Sequence, residues 1–215
     1  MKLIIASNNA HKIREIKQIL ADRFEEILSL REAGIDHETV EDGDTFLANA
    51  RKKAVEIAEI SGCCALADDS GICAHALDNA PGVFSARYCG RHGDDEANNQ
   101  LLMANLRDKA DRSAHYACAM VLAFPDGRVV SAEGEMHGEI VFTPAGENGF
   151  GYDPIFFLPE YGMTAAQISP EEKNRISHRA KALQGLVDQL NLIQKNTDRE
   201  VYSLSVILCL GNVFR

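Results

Sequence analysis

The sequence predicts an α/β protein built on a mixed sheet, and three observations carry that prediction. In the first half, short apolar strands alternate with amphipathic helices. In the second half, two runs read as strands joined by Pro125-Asp126-Gly127, a hairpin turn signal. The apolar face of a last helix then begins after Pro170.

Taken in order, Leu3-Ile4-Ile5-Ala6 reads as a buried strand. Ile13, Ile16, Ile19 and Leu20 recur at helical spacing, predicting a helix over about 11–21. Ile27-Leu28-Ser29-Leu30 is a second strand. A helix over 45–61 places Phe46, Ala50, Ala54, Ile57 and Ala58 on one face, with Thr45 as N-cap and Gly62 as its stop. Cys63 to Ala67 reads as a strand that ends on Asp68 and Asp69, and Asn79-Ala80-Pro81-Gly82 is a loop. A helix is predicted over 96–107, strands over 115–124 and 128–136, and a Gly-rich loop over 144–151. Glu139 to Phe142 extends the same sheet. One helix is predicted from Pro170 to about Gln194, with Ile176, Ala180, Leu183, Leu186, Val187 and Leu190 on its apolar face. The stretch from Val201 to Leu210 is apolar and reads as a strand or a short docked helix.

The 215 residues fit one domain or two lobes sharing a core. A net charge of −10 argues against a broad nucleic-acid surface, although a local cluster of Lys and Arg can still hold a small anion. The apolar run at the start is too short for a signal peptide, and no stretch reaches the length of a membrane span. The six cysteines form no C-x-x-C pair and no zinc spacing, so they read as reduced, mostly buried thiols of a cytoplasmic protein.

The chemistry concentrates in a few loops. Asp68 and Asp69, followed by Ser70 and Gly71, would lie at the C-terminal edge of a strand, where α/β sheets bind ligands. Adjacent carboxylates resist desolvation unless a cation neutralises them, and Mg²⁺ shared with substrate phosphates is the natural candidate. A solvated turn is the plain alternative. Ser7, Asn8, Asn9, Ala10, His11 and Lys12 join the first strand to the first helix, where free N–H groups and the Lys12 charge suit a phosphate. Glu41 precedes the second helix, and Asn49 and Lys53 share one of its faces at i and i+4. Phe150, Gly151, Tyr152 and Asp153 combine rings able to stack on a base with a carboxylate able to accept its N–H groups. Lys173, Ser177, His178 and Arg179 add positive charge late in the chain.

Together these motifs resemble the inosine triphosphate pyrophosphatases, which remove non-standard purine nucleotides. The matching residues are Ser7-Asn8-Asn9 with Lys12; Glu41 with Gly43, Thr45, Phe46, Asn49 and Lys53; and Ala67-Asp68-Asp69-Ser70-Gly71. They continue with Pro81-Gly82-Val83-Phe84-Ser85-Ala86-Arg87-Tyr88, Phe150-Gly151-Tyr152-Asp153-Pro154-Ile155-Phe156, and Glu171-Glu172-Lys173-Asn174 with Ser177-His178-Arg179. Two departures are Asn8, where many relatives have Gly, and Val40-Glu41 in place of an acidic pair.

The resemblance implies an elongated mixed sheet with flanking helices, two lobes around a central nucleotide cleft, and a homodimer. Residues 1–195 would be the single domain and 196–215 a tail. It implies Mg²⁺-dependent hydrolysis of ITP, dITP and XTP to the monophosphate and pyrophosphate, with a metal-activated water attacking the α-phosphorus. Asp69 would be proton acceptor and metal ligand, with Glu41 and Asp68 assisting at the metal. Ser7 to Lys12 and Lys53 would hold phosphates; Ser70, Phe150 to Asp153, Lys173, His178 and Arg179 would line the nucleotide site. Selectivity would come from the purine 6-keto group. Two other readings of the residues are a non-catalytic purine-nucleotide binding or sensing protein and a phosphatase working through an aspartyl-phosphate.

Overall fold

The computed structural model describes residues 2–21 and 24–193. The sheet elements are β1 (Lys2–Ile5), β2 (Glu26–Ser29), β3 (Cys64–Ala74), β4 (Ser113–Ala123), β5 (Val129–Ile140), β6 (Phe156–Leu158) and β7 (Met163–Thr164). The helices are α1 (Ala10–Leu20), α2 (Phe46–Ser61), α3 (Asp95–Leu106), α4 (Pro170–Ile176) and α5 (residues 178–193). The strands form one mixed sheet in the order β2-β1-β3-β4-β5-β6-β7. β1 runs parallel to β2 and β3, and every later pairing is antiparallel. The apolar stretch from Val201 to Leu210 lies outside the described residues.

The helices start and stop where local chemistry directs. The Asn9 side chain caps α1, and Thr45 caps α2 by accepting from the Ala48 N–H. Gly62, at φ +62°, closes α2 in the left-handed conformation that a residue without Cβ adopts freely. The helix expected from Pro170 to Gln194 is broken. Ser177 is extended, and its hydroxyl accepts from the Ala180 N–H at 3.1 Å, so it caps a new helix, α5. His178 and Arg179 thereby open α5 and are buried instead of trailing along a solvent face.

A second difference concerns the acids. β3 does not stop at Ala67; it runs on through Asp68-Asp69-Ser70-Gly71, held by continuous pairing with β4 from Ala65↔Ala123 to Ala74↔Ala114. The parallel neighbour is what stops: the last β1 pair is Ile5↔Leu66. The acids therefore overhang the end of the parallel half, mid-strand.

Because strand side chains alternate between faces, Asp68 and Asp69 point to opposite sides of the sheet. On the Asp68 side, Cys64 and Leu66 join one apolar cluster with α1 and α5, and Ile72 and Ala74 join another with α3. Asp68 and Ser70 fall between the two clusters. On the Asp69 side, Ala65 and Ala67 pack against α2 residues Ala50, Ala54, Ile57 and Ala58.

The segment Gly82–Arg87 forms 3-10 turns over β3. The Ser85 hydroxyl accepts from the Ile72 N–H at 2.9 Å and donates to the Gly82 carbonyl at 2.6 Å. Gly71 makes that approach feasible: a Cβ there would lie 2.3 Å from Ser85 Oγ and 2.5 Å from the Gly82 carbonyl oxygen. Gly71→Ala is expected to cost about 1–3 kcal/mol as an overpacking change. Urea unfolding checks this, and a loss under about 0.5 kcal/mol would contradict the tight contact.

Candidate active site

A cavity of about 900 Å³ opens at the overhanging end of β1 and β3. That is within the range of small-molecule sites. Its wall includes Ser7, Asn8, Asn9, His11, Lys12, Glu41, Lys53, Asp69, Ser70, Phe150, Gly151, Tyr152, Asp153, Lys173, His178 and Arg179. These are sixteen of the residues proposed from sequence, drawn from six separate stretches of chain. Three others stand off the wall: Ala10, Asn49 and Asp68.

Asp68 is 2% exposed and lies beneath the cavity, where the sequence reading had it assisting at a metal. Its Oδ2 pairs with Lys12 Nζ at 2.8 Å and Arg179 Nε at 3.4 Å. Burial pushes its carboxyl up, but the Lys12, Arg179 and Lys53 charges outweigh this and hold it well below the usual carboxylate range. Arg179 also donates to Glu15 at 2.6 Å and to Ser70 Oγ at 3.2 Å. Asp68 thus fixes two cations that face the cavity. Its Oδ1 is buried and without a protein partner.

Asp69 has the opposite setting. Burial is the largest influence and leaves its carboxyl raised from the ordinary value, despite Lys53, Lys12 and an Asn49 hydrogen bond pulling down. Asn49, expected to touch substrate, instead bridges the site's own parts: its Nδ2 donates to Asp69 Oδ2 at 3.0 Å, and its Oδ1 accepts from Gly43 N–H at 2.8 Å. Lys53 Nζ lies between two carboxylates, 2.5 Å from Glu41 and 3.9 Å from Asp69. Burial opposes the Lys53 charge, yet Asp69, Asp68 and Glu41 together raise its pKa. Glu41 is shifted down, because Lys53, Lys12 and Arg87 outweigh its burial.

The β1–α1 loop also departs from expectation. Two of its first-turn N–H groups are occupied: Asn9 Oδ1 accepts from His11 N at 3.0 Å and Lys12 N at 3.2 Å. The Lys12 ammonium, held by Asp68 at 2.8 Å, adds a positive charge beside this loop.

At the opposite end, Asp153 is 2% exposed and its carboxylate is engaged within the protein. Its carboxylate accepts from Lys173 Nζ, from Phe150 N–H at 2.8 Å and from Tyr116 O–H at 3.3 Å. Three of its acceptor positions are thus taken within the protein. Gly149 at φ +79° permits the arrangement, since a Cβ there would strike the same carboxylate. The Phe150 ring has Lys173 Nζ 5.2 Å and Arg179 Cζ 5.8 Å from its centroid, with His11 stacked at 5.2 Å. His178 stacks on Tyr116 with ring centroids 4.7 Å apart. Burial first, then Arg179 and Lys173, push its pKa well below the ordinary value, so the ring is neutral at neutral pH. Its Nδ1 is buried without a protein partner.

Sequence reasoning missed Arg87 and Tyr116, both on the cavity wall. Arg87 stood inside the Pro81–Tyr88 run without a role; it lies 3.9 Å from Glu41. Tyr116 carried no signal beyond its place in a strand.

Residues 3–189 match the Ham1 family model. The dITP/XTP pyrophosphatase of Clostridium perfringens is 48% identical over 202 residues, covering 90% of this chain and 99% of its own. That of Nitrosomonas europaea is 50% identical over 192 residues, covering 88% and 94%. The chain belongs to the Ham1 family. A solved Ham1 protein from Coxiella burnetii superposes with a TM-score of 0.81 at 40% identity, covering 89% of this chain and 98% of that one. The Ham1 protein of Staphylococcus aureus gives a TM-score of 0.78 at 38% identity, covering 93% and 100%. The Ham1 match thus spans all of the cavity residues described above.

Proposed function

We propose that this chain hydrolyses non-standard purine nucleoside triphosphates (ITP, dITP and XTP) to the monophosphate and pyrophosphate. The observation that carries the reading is Asp69, a buried carboxylate with a raised pKa on a cavity wall that also holds Lys12, Lys53 and the Phe150 ring. The names of the relatives, dITP/XTP pyrophosphatases, support the substrate class.

In this reading Lys12, Lys53 and Arg87 receive the triphosphate, and Phe150 stacks on the base. Asp69 takes the proton of the water that attacks the α-phosphorus, and pyrophosphate leaves. Glu41 and Asp69 offer a hard cation only oxygen donors. Among the described residues no group of three or more His, Cys, Asp or Glu is placed to hold a metal ion, so the protein alone would supply at most two such ligands. One or two carboxylates completed by substrate phosphates is the manner in which Mg²⁺ binds, so the donor set fits it. When bound, Mg²⁺ would neutralise phosphate charge and acidify the attacking water.

A 6-keto oxygen would meet the positively charged end of the cavity wall, where Lys173 and Arg179 lie. The adenine amino group would instead set donor against donor, a mismatch that discriminates strongly. The reading takes residues 1–195 as one domain of two lobes, with 196–215 as a tail. It also makes the protein a cytoplasmic homodimer acting on free nucleotides, away from nucleic-acid polymers and membranes. Free thiols at Cys63, Cys73, Cys89 and Cys118 support a reducing compartment. Among the described residues no helix is long and apolar enough to cross a membrane.

The test is a product assay with ITP, XTP, GTP and ATP in Mg²⁺ that separates pyrophosphate from orthophosphate. Pyrophosphate and IMP from ITP, with little turnover of ATP or GTP, are expected. Orthophosphate would point to γ-phosphate hydrolysis, and tight binding without turnover would point to a sensing protein. Phe150→Ala is expected to raise KM for ITP about 10-fold with a smaller change in kcat, given base–aromatic stacking of about 1–3 kcal/mol. An unchanged KM would remove Phe150 from base stacking.

A further inference from the structure

The loop that presents Phe150 is gripped by α3, whose Asp95 also borders the cavity. Asp95 Oδ2 accepts from the Gly151 N–H at 2.8 Å, and Asn99 Nδ2 donates to the Gly151 carbonyl at 3.1 Å. The two side chains stand at i and i+4, so they share one face of the helix and hold the peptides on either side of Gly151. On its other flank, Phe150 donates its own N–H to Asp153. Both backbone groups bordering the ring are thereby fixed. Gly151 itself sits at φ +64°, a conformation that the loop would not hold from local preference alone.

The other end of the Asn99 amide, its Oδ1, is buried and has no protein partner. Turning the amide over would set that oxygen against the Gly151 carbonyl, so the observed orientation is the one that keeps the grip. A residue chosen for packing alone would not retain an orphan acceptor there.

We propose that Asp95 and Asn99 are positioning residues that set the stacking face of Phe150 and so the affinity for the purine base. The substrate part of this inference rests on the nucleotide-hydrolase reading above; the loop-ordering part does not. Neither residue touches the reacting phosphorus in this scheme. They act through Gly151 and Phe150, so their removal weakens substrate binding more than turnover.

The chain contains no tryptophan, so Phe150→Trp places a single fluorescent reporter in the loop. Adding Asp95→Ala or Asn99→Leu to that reporter is expected to raise acrylamide quenching and lower anisotropy. In the otherwise native chain, each clamp variant is expected to raise KM for ITP about 10-fold with kcat within about 2-fold. In a Phe150→Ala background the same changes should have no further effect on KM, because the path through the ring is already cut. Asn99→Leu removes an unsatisfied oxygen, so Tm should hold while KM rises, a split that a merely structural role would not produce. Asp95→Asn keeps an acceptor and should recover most of the lost affinity. Unchanged quenching overturns the clamp. Altered quenching with an unchanged KM in an enzyme that hydrolyses ITP overturns its role in base binding. If the native chain releases no pyrophosphate from ITP, the hydrolase reading falls, and the quenching result still decides whether the clamp orders the loop.

Discussion

Asp69→Asn is expected to lower kcat for ITP by about 10²–10⁴-fold, the usual contribution of a positioned general base. The structure separates the candidate bases. Glu41 is shifted down by Lys53, Lys12 and Arg87 despite its burial, which makes it a weak proton acceptor. Asp69 is shifted up, because burial outweighs the cations around it. Two carboxylates on either side of one ammonium are thus driven apart in basicity, and the more basic one is the expected proton acceptor. Asparagine is nearly isosteric, and its carbonyl can still accept from Asn49 Nδ2, so the local frame persists. Pyrophosphate release measured beside a thermal melt provides the check. A folded variant within about 10-fold of the native rate would take proton transfer away from Asp69.

Much of this architecture is legible in the sequence because its signals are local. α1 and α2 follow apolar spacing, and Asn9, Thr45 and Gly62 end them by side-chain or backbone chemistry that any reader of the chain can see. The hairpin of β4 and β5 is announced by its turn. The continuation of β3 is not announced, since Asp, Ser and Gly are poor strand formers. It persists because β4 offers a partner at every position from Ala65 to Ala74, a tertiary fact. The break at Ser177 is hidden for the converse reason. Apolar residues keep helical spacing on both sides of it, so periodicity alone runs straight through.

The site divides in the same way. Residue types near Lys12, Lys53, Asp69 and Phe150 announce phosphate, carboxylate and base chemistry without a structure. Which acid faces the ligand cannot be read from the adjacent pair Asp68-Asp69, because strand parity matters only once the strand is known to continue. Asp153 likewise looks unengaged until Lys173, Phe150 and Tyr116 are found to bond to it. Arg87 and Tyr116 reach the cavity only through the 3-10 turns over β3 and the face of β4.

Asp68→Asn, one residue from the change discussed first, is expected to act on stability. It removes the negative charge shared by Lys12 and Arg179, and Arg179 is 2% exposed. Breaking a buried pair by deleting one partner costs about 3–5 kcal/mol, because the other charge stays desolvated. Arg179 keeps Glu15 and Ser70, and Lys12 retains some solvent contact, which places the loss near the lower end. A melting temperature lower by roughly 10 °C is the corresponding shift for a chain of this size. The pH dependence has a definite sign. A carboxyl held below its unfolded value stabilises the fold above that value, and the contribution disappears as pH falls through the folded pKa. The gap between native and variant stability should therefore be full at neutral pH and narrow only below about pH 4. Asp69 is shifted the other way, so its charge opposes folding at neutral pH and Asp69→Asn should not lower Tm. Two adjacent acids on opposite faces of β3 are expected to give opposite phenotypes: activity lost with the fold intact at Asp69, and fold stability lost at Asp68. Equal melting temperatures for the two variants would mean that the buried pairing of Asp68 with Lys12 and Arg179 does not stabilise the fold.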